Sequence, residues 1–162
     1  MVYLLIFISF TLESIVSRLI NYEHALIPLF TLTSFVILYP HFKTKFNYII
    51  TIIVCGLIYD IAQNTFFINT ICFGICGGFI ITSYNYVKYN VYTASIINLI
   101  NICLYRVISY ILLVVVEYLR FNFSNLLEGI YKSLIFNLIY GIVFYLVTKL
   151  IYKIVNKKKN GI

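Results

Sequence analysis

The sequence predicts an all-α membrane protein, a bundle of six transmembrane helices. Hydrophobic residues make up 62% of the 162 residues and charged residues 10%, whereas about a quarter of a typical soluble domain is charged. So few charges could not cover a surface that faces water, and we therefore expect lipid to surround most of the chain. The apolar residues also fall into six runs, each close to the ~20 residues that a helix needs to cross the hydrocarbon layer.

Breaks in the apolar pattern set the bounds of the six helices. The first helix begins at the N-terminus, where MVYLLIFISF lacks the basic residues and the cleavage site of a signal peptide. The second contains Pro28 and ends at the Tyr-Pro-His run of residues 39–41, and the third ends at the polar run QNT. Between the fifth and the sixth, the amphipathic segment LRFNFSNLLEG is expected to lie in the outer interface. The predicted helices cover residues 2–20, 25–42, 47–63, 67–87, 92–118 and 130–154.

The distribution of Lys and Arg predicts the orientation in the membrane. No linker divides residues 1–155, so we treat them as one transmembrane domain, followed by a basic tail at 156–162. Eight basic residues fall on the side of the two chain ends and three on the other, which makes both ends cytoplasmic by the positive-inside rule. The net charge of +7 is then a consequence of orientation and does not imply nucleic acid. The eight residues are Lys43, Lys45, Lys88, Lys149, Lys153, Lys157, Lys158 and Lys159, and the three are Arg18, Arg120 and Lys132.

Four polar side chains from four predicted helices are expected to share one layer in the outer half of the membrane. Asp60 and Arg106 each lie about fourteen residues, or roughly 21 Å, from the cytoplasmic boundary. Glu13 and Asn137 come to similar depths. Because an isolated charge is unfavourable in lipid by ~2.5–3.5 kcal/mol on insertion scales, we expect Arg106 to face inward and pair with Asp60, Glu13 or both.

On the fifth helix, Asn98, Asn101, Tyr105 and Ser109 form a polar stripe next to Arg106. This stripe either lines a cavity for a substrate or ion or joins the helices by hydrogen bonds, and its polarity favours the second interpretation.

Small residues indicate where helices approach closely. Gly74 and Gly78 form a GxxxG pair that could pack inside the bundle or receive a helix from a partner. Gly56 precedes Asp60 by one helical turn on the third helix. We interpret this combination as a tight helix junction, in which the glycine admits a neighbour and the carboxylate makes a polar contact.

Patterns typical of catalysis are missing from the sequence. It contains no P-loop, HExxH motif, dinucleotide fingerprint or Ser/His/Asp order. Cys72 and Cys76 have a spacing that could hold a soft metal, but His24 and His41 lie at loop edges, so we interpret the cysteines as packing residues. We therefore expect a protein that is not an enzyme and that needs no cofactor or metal.

The order of these features resembles the bacterial rod shape-determining protein MreD family. The run VILYPHF precedes an apolar helix ending in GLIYDIAQNTFFI, and a glycine-bearing helix follows. Members of that family have a proline in the second helix, a G-x-x-x-D signature on the third and a basic C-terminal tail. The matching residues here are Pro28, Pro40, His41, Gly56 and Asp60. The family often follows its aspartate with a turn rich in Gly and Ser, whereas AQNTFFI has no glycine.

The resemblance implies a non-enzymatic role in the complex that builds the lateral cell wall, in the bacterial plasma (inner) membrane. There the protein would bind a membrane-anchored coiled-coil protein, MreC. The actin homologue MreB, the glycosyltransferase RodA and an elongation transpeptidase would act around the pair. The implied mechanism is packing of the partner's transmembrane helix against this bundle.

A substrate-binding S-component of an energy-coupling-factor vitamin transporter is the alternative. Those proteins are six-helix bundles of similar size. The predicted cluster of Glu13, Asp60, Arg106 and Asn137 could supply their ligand cavity. They dock their energising module through small-residue motifs on the first helix, commonly Ala-x-x-x-Ala. Here the first helix has Ser9, Ser14 and Ser17 but no alanine.

Overall fold

The computed structural model describes residues 1–19 and 28–159. All regular secondary structure in these two ranges is helical, which confirms the predicted all-α class. The helices are α1 (Val2–Leu19), α2 (Phe30–Leu38), α3 (Lys45–Gln63), α4 (Ile68–Tyr86), α5 (Val91–Val115) and α6 (Phe123–Lys159), and a 3₁₀ turn at Tyr39–His41 follows α2.

Three of these helices are long and apolar enough to cross a membrane. They are α3, α5 and the Phe123–Val155 part of α6, and most of their residues lie outside the protein core. Side chains that face outward and are apolar are expected where lipid is the solvent. The length and apolar composition of these three helices indicate a membrane protein, and the finer count of six spans stays a prediction.

Helix α2 forms the centre of the bundle. All nine of its residues are buried, and it contacts α1, α4, α5 and α6. A helix that is buried on every side has no face left for lipid or water. The elements around α2 therefore determine what its backbone and its polar side chains can contact.

The start of α2 differs from the prediction of a helix over residues 25–42. The described helix begins at Phe30, after Pro28, and residues 25–27 lie outside the described ranges. At its other end the chain tightens into the 3₁₀ turn that contains Pro40. Proline has no N–H to donate to the carbonyl four residues earlier, which ends the α-helical pattern there.

The start of α6 also differs from the prediction, which began this helix at residue 130. Helix α6 begins at Phe123 and continues to Lys159. The side chain of Asn122 accepts a hydrogen bond from the backbone N–H of Ser124 at 3.0 Å, and its carbonyl accepts one from Leu126 at 3.3 Å. Asn122 thus caps the helix, and most of the segment predicted to lie in the interface forms the first turns of α6. The helix also includes the start of the predicted tail.

Both ends of the described chain lie at one end of the bundle. The ring of Tyr3 on α1 contacts Phe42 edge-on, with centroids 6.1 Å apart. The ring of His41 stacks on Tyr152 of α6 at 3.9 Å and also contacts Tyr89, at 6.1 Å. The 3₁₀ turn, the loop between α4 and α5, and the two chain ends are therefore neighbours.

Candidate functional site

The carboxylate of Asp60 caps the N-terminus of α4. Its oxygens accept the backbone N–H groups of Asn69 and Thr70, both at 2.8 Å, and the hydroxyls of Thr65 and Thr70, both at 2.6 Å. The N-cap residue of α4, Phe67, supplies no side-chain cap of its own. The first N–H groups of a helix have no partner within the helix, and the helix dipole favours an anion beside them. Asp60, on the preceding helix, therefore supplies the hydrogen-bond acceptor for the first N–H groups of α4.

Gly56 brings α3 and α4 together one turn before this cap. A Cβ atom at this position would lie 2.7 Å from the Cα of Thr70 and 3.2 Å from the carbonyl oxygen of Asn69. Residues four apart lie on the same face of a helix, so Gly56 and Asp60 face the same first turn of α4. The glycine permits the close backbone approach that lets the carboxylate reach the N–H groups.

The turn between α3 and α4 adopts the left-handed backbone conformation without a glycine. Asn64 ends α3 in the left-handed conformation, with φ 52°, and its N–H donates to the carbonyl of Asp60. Asparagine adopts this conformation more readily than most residues with a Cβ atom. Phe67, the N-cap of α4, also has a positive φ, 55°, so this loop adopts the left-handed conformation at two positions without glycine.

Glu13 caps a second helix from its neighbour in the same manner. The backbone N–H of Thr31, in the first turn of α2, donates to Glu13 Oε2 at 2.8 Å. The N–H of Leu29, which immediately precedes α2, donates to Asn137 Oδ1 of α6 at 2.8 Å, and the Asn137 amide donates to the carbonyl of Ser133. Leu29 supplies no side-chain cap. Glu13 and Asn137 therefore meet at the start of the central helix.

Two tyrosines extend these caps to other helices. The hydroxyls of Tyr59 on α3 and Thr31 on α2 are 2.8 Å apart. The Tyr105 hydroxyl on α5 donates to Asn69 Oδ1, next to the Asp60 carboxylate. Because Tyr59 and Asp60 are consecutive, α3 carries one residue of each cap network. The residues Glu13, Thr31, Tyr59, Asp60, Asn69, Tyr105 and Asn137 are called the polar layer below.

Arg106 does not form the direct pair that the sequence predicted. Its guanidinium is partly buried and interacts electrostatically with Glu13, but it lies beyond salt-bridge distance of Glu13 and of Asp60. Within the described ranges, the pair at salt-bridge distance is Lys132 with Glu128, on the outer surface of α6. The predicted salt bridge is not formed with either acid. N–H and hydroxyl groups bind both oxygens of Asp60, and Glu13 Oε2 accepts the N–H of Thr31. Arg106 contributes a nearby positive charge instead.

No family model, curated protein or solved structure matches the chain.

The glycines of α4 require a second correction. A Cβ atom on Gly74 or Gly78 would meet nothing within 4 Å, so neither packs against the described chain. Gly77 makes the close internal contact instead, since a Cβ there would lie 3.1 Å from two methyl carbons of Ile52 on α3. Of the two alternatives for the GxxxG pair, only reception of a partner's helix stays a prediction.

Sequence reasoning missed the residues that meet the two acids. Thr31, Tyr59, Asn69 and Thr70 were not among the predicted polar residues, although each binds an acid or a cap residue. Tyr105, which donates to Asn69, belongs to the predicted polar stripe of the fifth helix. A signal for two of the missed residues exists, because Asn69 and Thr70 interrupt an apolar run where a helix begins. Tyr59 gives no comparable signal, since the chain has 16 tyrosines.

The polar layer is suited to holding helices together. Asp60 uses both oxygens for four hydrogen bonds, and Glu13 is 3% exposed and bonded to a backbone N–H. A cavity of about 10 Å³ lies between α2, α5 and α6 beside Asn98, which is room for about one water molecule. This arrangement favours packing over a substrate cavity as the interpretation of the predicted cluster.

Proposed function

We propose that this chain is a non-enzymatic membrane scaffold of the bacterial cell-wall elongation complex, similar to MreD. In this role it binds a coiled-coil membrane protein with a single span, similar to MreC. Through that partner it acts with an MreB-like filament, RodA and the elongation transpeptidase. The observation that supports the proposal best is the geometry of Gly56 and Asp60. The family signature G-x-x-x-D acquires a physical purpose, because the glycine and the aspartate together fix α4 against α3.

The use of the acids supports a role without chemistry. A general base or a ligand for a substrate needs an oxygen that a reactant can reach. The oxygens of Asp60 are taken by the first turn of α4, and Glu13 is buried at the start of α2. In this bundle the buried acids bind the N-termini of α2 and α4 and so fix these helices in place. A scaffold needs such a fixed surface to bind its partners.

The position of the charges supports the proposed topology of six spans with cytoplasmic ends. The two chain ends, the turn that leads to Lys43 and the loop that contains Lys88 lie at one end of the bundle. Glu13 and Asp60 lie at the start of α2 and α4, which is the other end. Basic residues concentrate on the cytoplasmic side of membrane proteins.

The transporter interpretation receives less support. Ser9 of α1 is buried and accepts a hydrogen bond from the Tyr140 hydroxyl at 2.7 Å, so this small residue faces the core of the bundle. The cavity beside Asn98 is far smaller than the ~300 Å³ or more of a typical small-molecule site. The S-component function is therefore the alternative that the purification experiment below distinguishes from the scaffold function.

Purification of the chain from host membranes tests the proposal. A C-terminal affinity tag is placed on the chromosomal copy, and the proteins retained after mild solubilisation are quantified by mass spectrometry. We expect enrichment of a single-span coiled-coil protein over a control in which an unrelated multi-span protein carries the same tag. Enrichment of a membrane transport ATPase module in its place would contradict the proposal.

Depletion of the protein gives an independent readout. In a rod-shaped host, loss of the scaffold is expected to round the cells, and expression of the wild-type chain is expected to restore rods. Normal shape combined with a requirement for an external vitamin would contradict the scaffold function and favour the transporter.

A further inference from the structure

A basic pocket lies at the end of the bundle that holds both chain ends. It has a volume of about 230 Å³ and opens to the outside between the 3₁₀ turn and the start of α3. Two lysines, a threonine hydroxyl and two aromatic rings surround it. Its lining residues are Tyr39, Pro40, Phe42, Lys43, Thr44 and Lys45.

We propose that this pocket binds the phosphate-bearing headgroup of an anionic phospholipid. The proposal requires that the chain spans a membrane, and it does not depend on the scaffold function. Lys43 and Lys45 supply positive charge to balance the negative charge of the headgroup phosphate. The Thr44 hydroxyl lies between them in the sequence. Lysine binds phosphate as a compact point charge with three donors.

The positive charge of the pocket is held in position. Lys45 Nζ donates to the side-chain oxygen of Asn85, at the end of α4, at 3.0 Å. This contact is to a neutral amide, so it orients the ammonium group without cancelling its charge. The acids among the described residues lie toward the opposite helix ends, so none of them neutralises the pocket. They are Glu13, Asp60, Glu117 and Glu128.

The surface next to the pocket indicates a lipid in preference to free phosphate. Phe46, directly after Lys45, is 69% exposed, and Ile50 and Ile53 follow it at helical spacing as exposed residues of α3. Side chains three and four apart share one face of a helix, so an apolar stripe leads from the pocket along a helix able to cross the membrane. A phospholipid matches both parts, with its phosphate between the lysines and its acyl chains along the stripe.

Titration of the purified full-length protein with lipid tests the pocket. The protein is held in a neutral detergent, and the retention of phosphatidylglycerol or phosphatidylcholine is counted by native mass spectrometry. We expect saturable binding of phosphatidylglycerol that is about thirtyfold weaker in the Lys43→Gln/Lys45→Gln variant, since each basic residue near an anionic surface contributes about fivefold. The Lys43→Arg/Lys45→Arg variant is expected to retain binding.

A matched pair of lysines separates the pocket from general attraction. Lys149→Gln/Lys153→Gln removes the same charge from α6 at the same end of the bundle and is expected to leave the binding of phosphatidylglycerol within about twofold of wild type. Equal weakening by both double variants, or no weakening by Lys43→Gln/Lys45→Gln, would overturn the proposal.

Two further arms identify the source of the phosphate and remove the dependence on variants. Inorganic phosphate and glycerol phosphate are expected to compete only weakly, because they lack acyl chains; full competition at equal concentration would overturn the assignment to a lipid. In the wild-type protein, a photoreactive phosphatidylglycerol is expected to label the peptide over residues 39–53. Labelling confined to α6 would place the lipid elsewhere and refute the pocket.

Discussion

Thr70 donates both its backbone N–H and its hydroxyl to the carboxylate of Asp60, at 2.8 and 2.6 Å. In the membrane an unsatisfied backbone N–H is unfavourable by several kcal/mol, and so is an isolated carboxylate. The contact between these two residues removes both problems at once. Glu13 and Thr31 repeat the solution at the start of α2.

Replacement of Gly56 tests the close approach of α3 and α4. Gly56→Ala is expected to lower the free energy of unfolding by about 1–3 kcal/mol, because the new methyl group would meet the backbone of Thr70 at 2.7 Å. Gly74→Ala is the matched control, since nothing lies within 4 Å of its added Cβ. This control is expected to be neutral or to stabilise by up to about 1 kcal/mol through helix propensity. Thermal or denaturant unfolding in detergent measures both variants, and equal effects would contradict the junction.

A double-mutant cycle tests the electrostatic interaction between Glu13 and Arg106. Glu13→Gln replaces the carboxyl group that accepts the Thr31 N–H and removes the acid that interacts electrostatically with Arg106. The double variant Glu13→Gln/Arg106→Gln is therefore expected to lose about 1 kcal/mol less than the sum of the single variants. In the control cycle, the stability losses of Glu13→Gln and of Lys132→Gln, on the surface, are expected to be additive in the double variant. Additivity in the first cycle as well would show that the two charges do not interact.

Removal of one hydroxyl tests the link from the polar layer to α5. Tyr105→Phe deletes the donor to Asn69 Oδ1 in a site where both residues are buried. We expect a loss of about 1–2 kcal/mol in the free energy of unfolding, because a buried acceptor is left without its donor. Tyr131→Phe removes a hydroxyl from a side chain that is 67% exposed and should change stability by less than about 0.5 kcal/mol. A loss no larger than in this control would disprove the role of Tyr105.

The partial burial of His41 leads us to expect that stability depends on pH. Burial lowers the pKa of this imidazole from its ordinary value of 6.5, so the folded state favours the neutral ring. The unfolded state then binds more protons than the folded state as pH falls through 6.5, and stability decreases in that window. Above the ordinary pKa the effect vanishes. Unfolding temperatures between pH 8 and pH 5 should decline less in His41→Gln than in wild type, and parallel curves would contradict this assignment.

The sequence allowed the prediction of features that depend on neighbouring residues in a helix. The apolar runs gave the all-α class, and the spacing of Gly56 and Asp60 by one turn placed both residues on one face of α3. The interpretation of this pair as a helix junction agrees with the contacts of both residues to the first turn of α4.

Features that depend on how helices rotate against one another could not be predicted. The sequence places Arg106 at the depth of the acids, but depth does not reveal that N–H and hydroxyl groups bind both oxygens of Asp60. Three glycines of α4 fall within five residues, and the rotation of the helix decides that Gly77 faces Ile52 while Gly74 and Gly78 do not. The sequence did not reveal that α2 is short and buried on all sides, because such a helix is as apolar as one that crosses lipid.

The free energy of unfolding of Asp60→Asn tests most directly the claim that the buried acids hold helices in place. Asparagine keeps the size of the side chain but loses the charge, and its amide group would face one of the donors that now bind the carboxylate. We expect Asp60→Asn to lower the free energy of unfolding by about 2–4 kcal/mol relative to wild type, and Glu117→Gln, at an exposed position, to lower it by less than about 0.5 kcal/mol. An Asp60→Asn protein as stable as wild type would show that α4 does not depend on this carboxylate and would contradict the account.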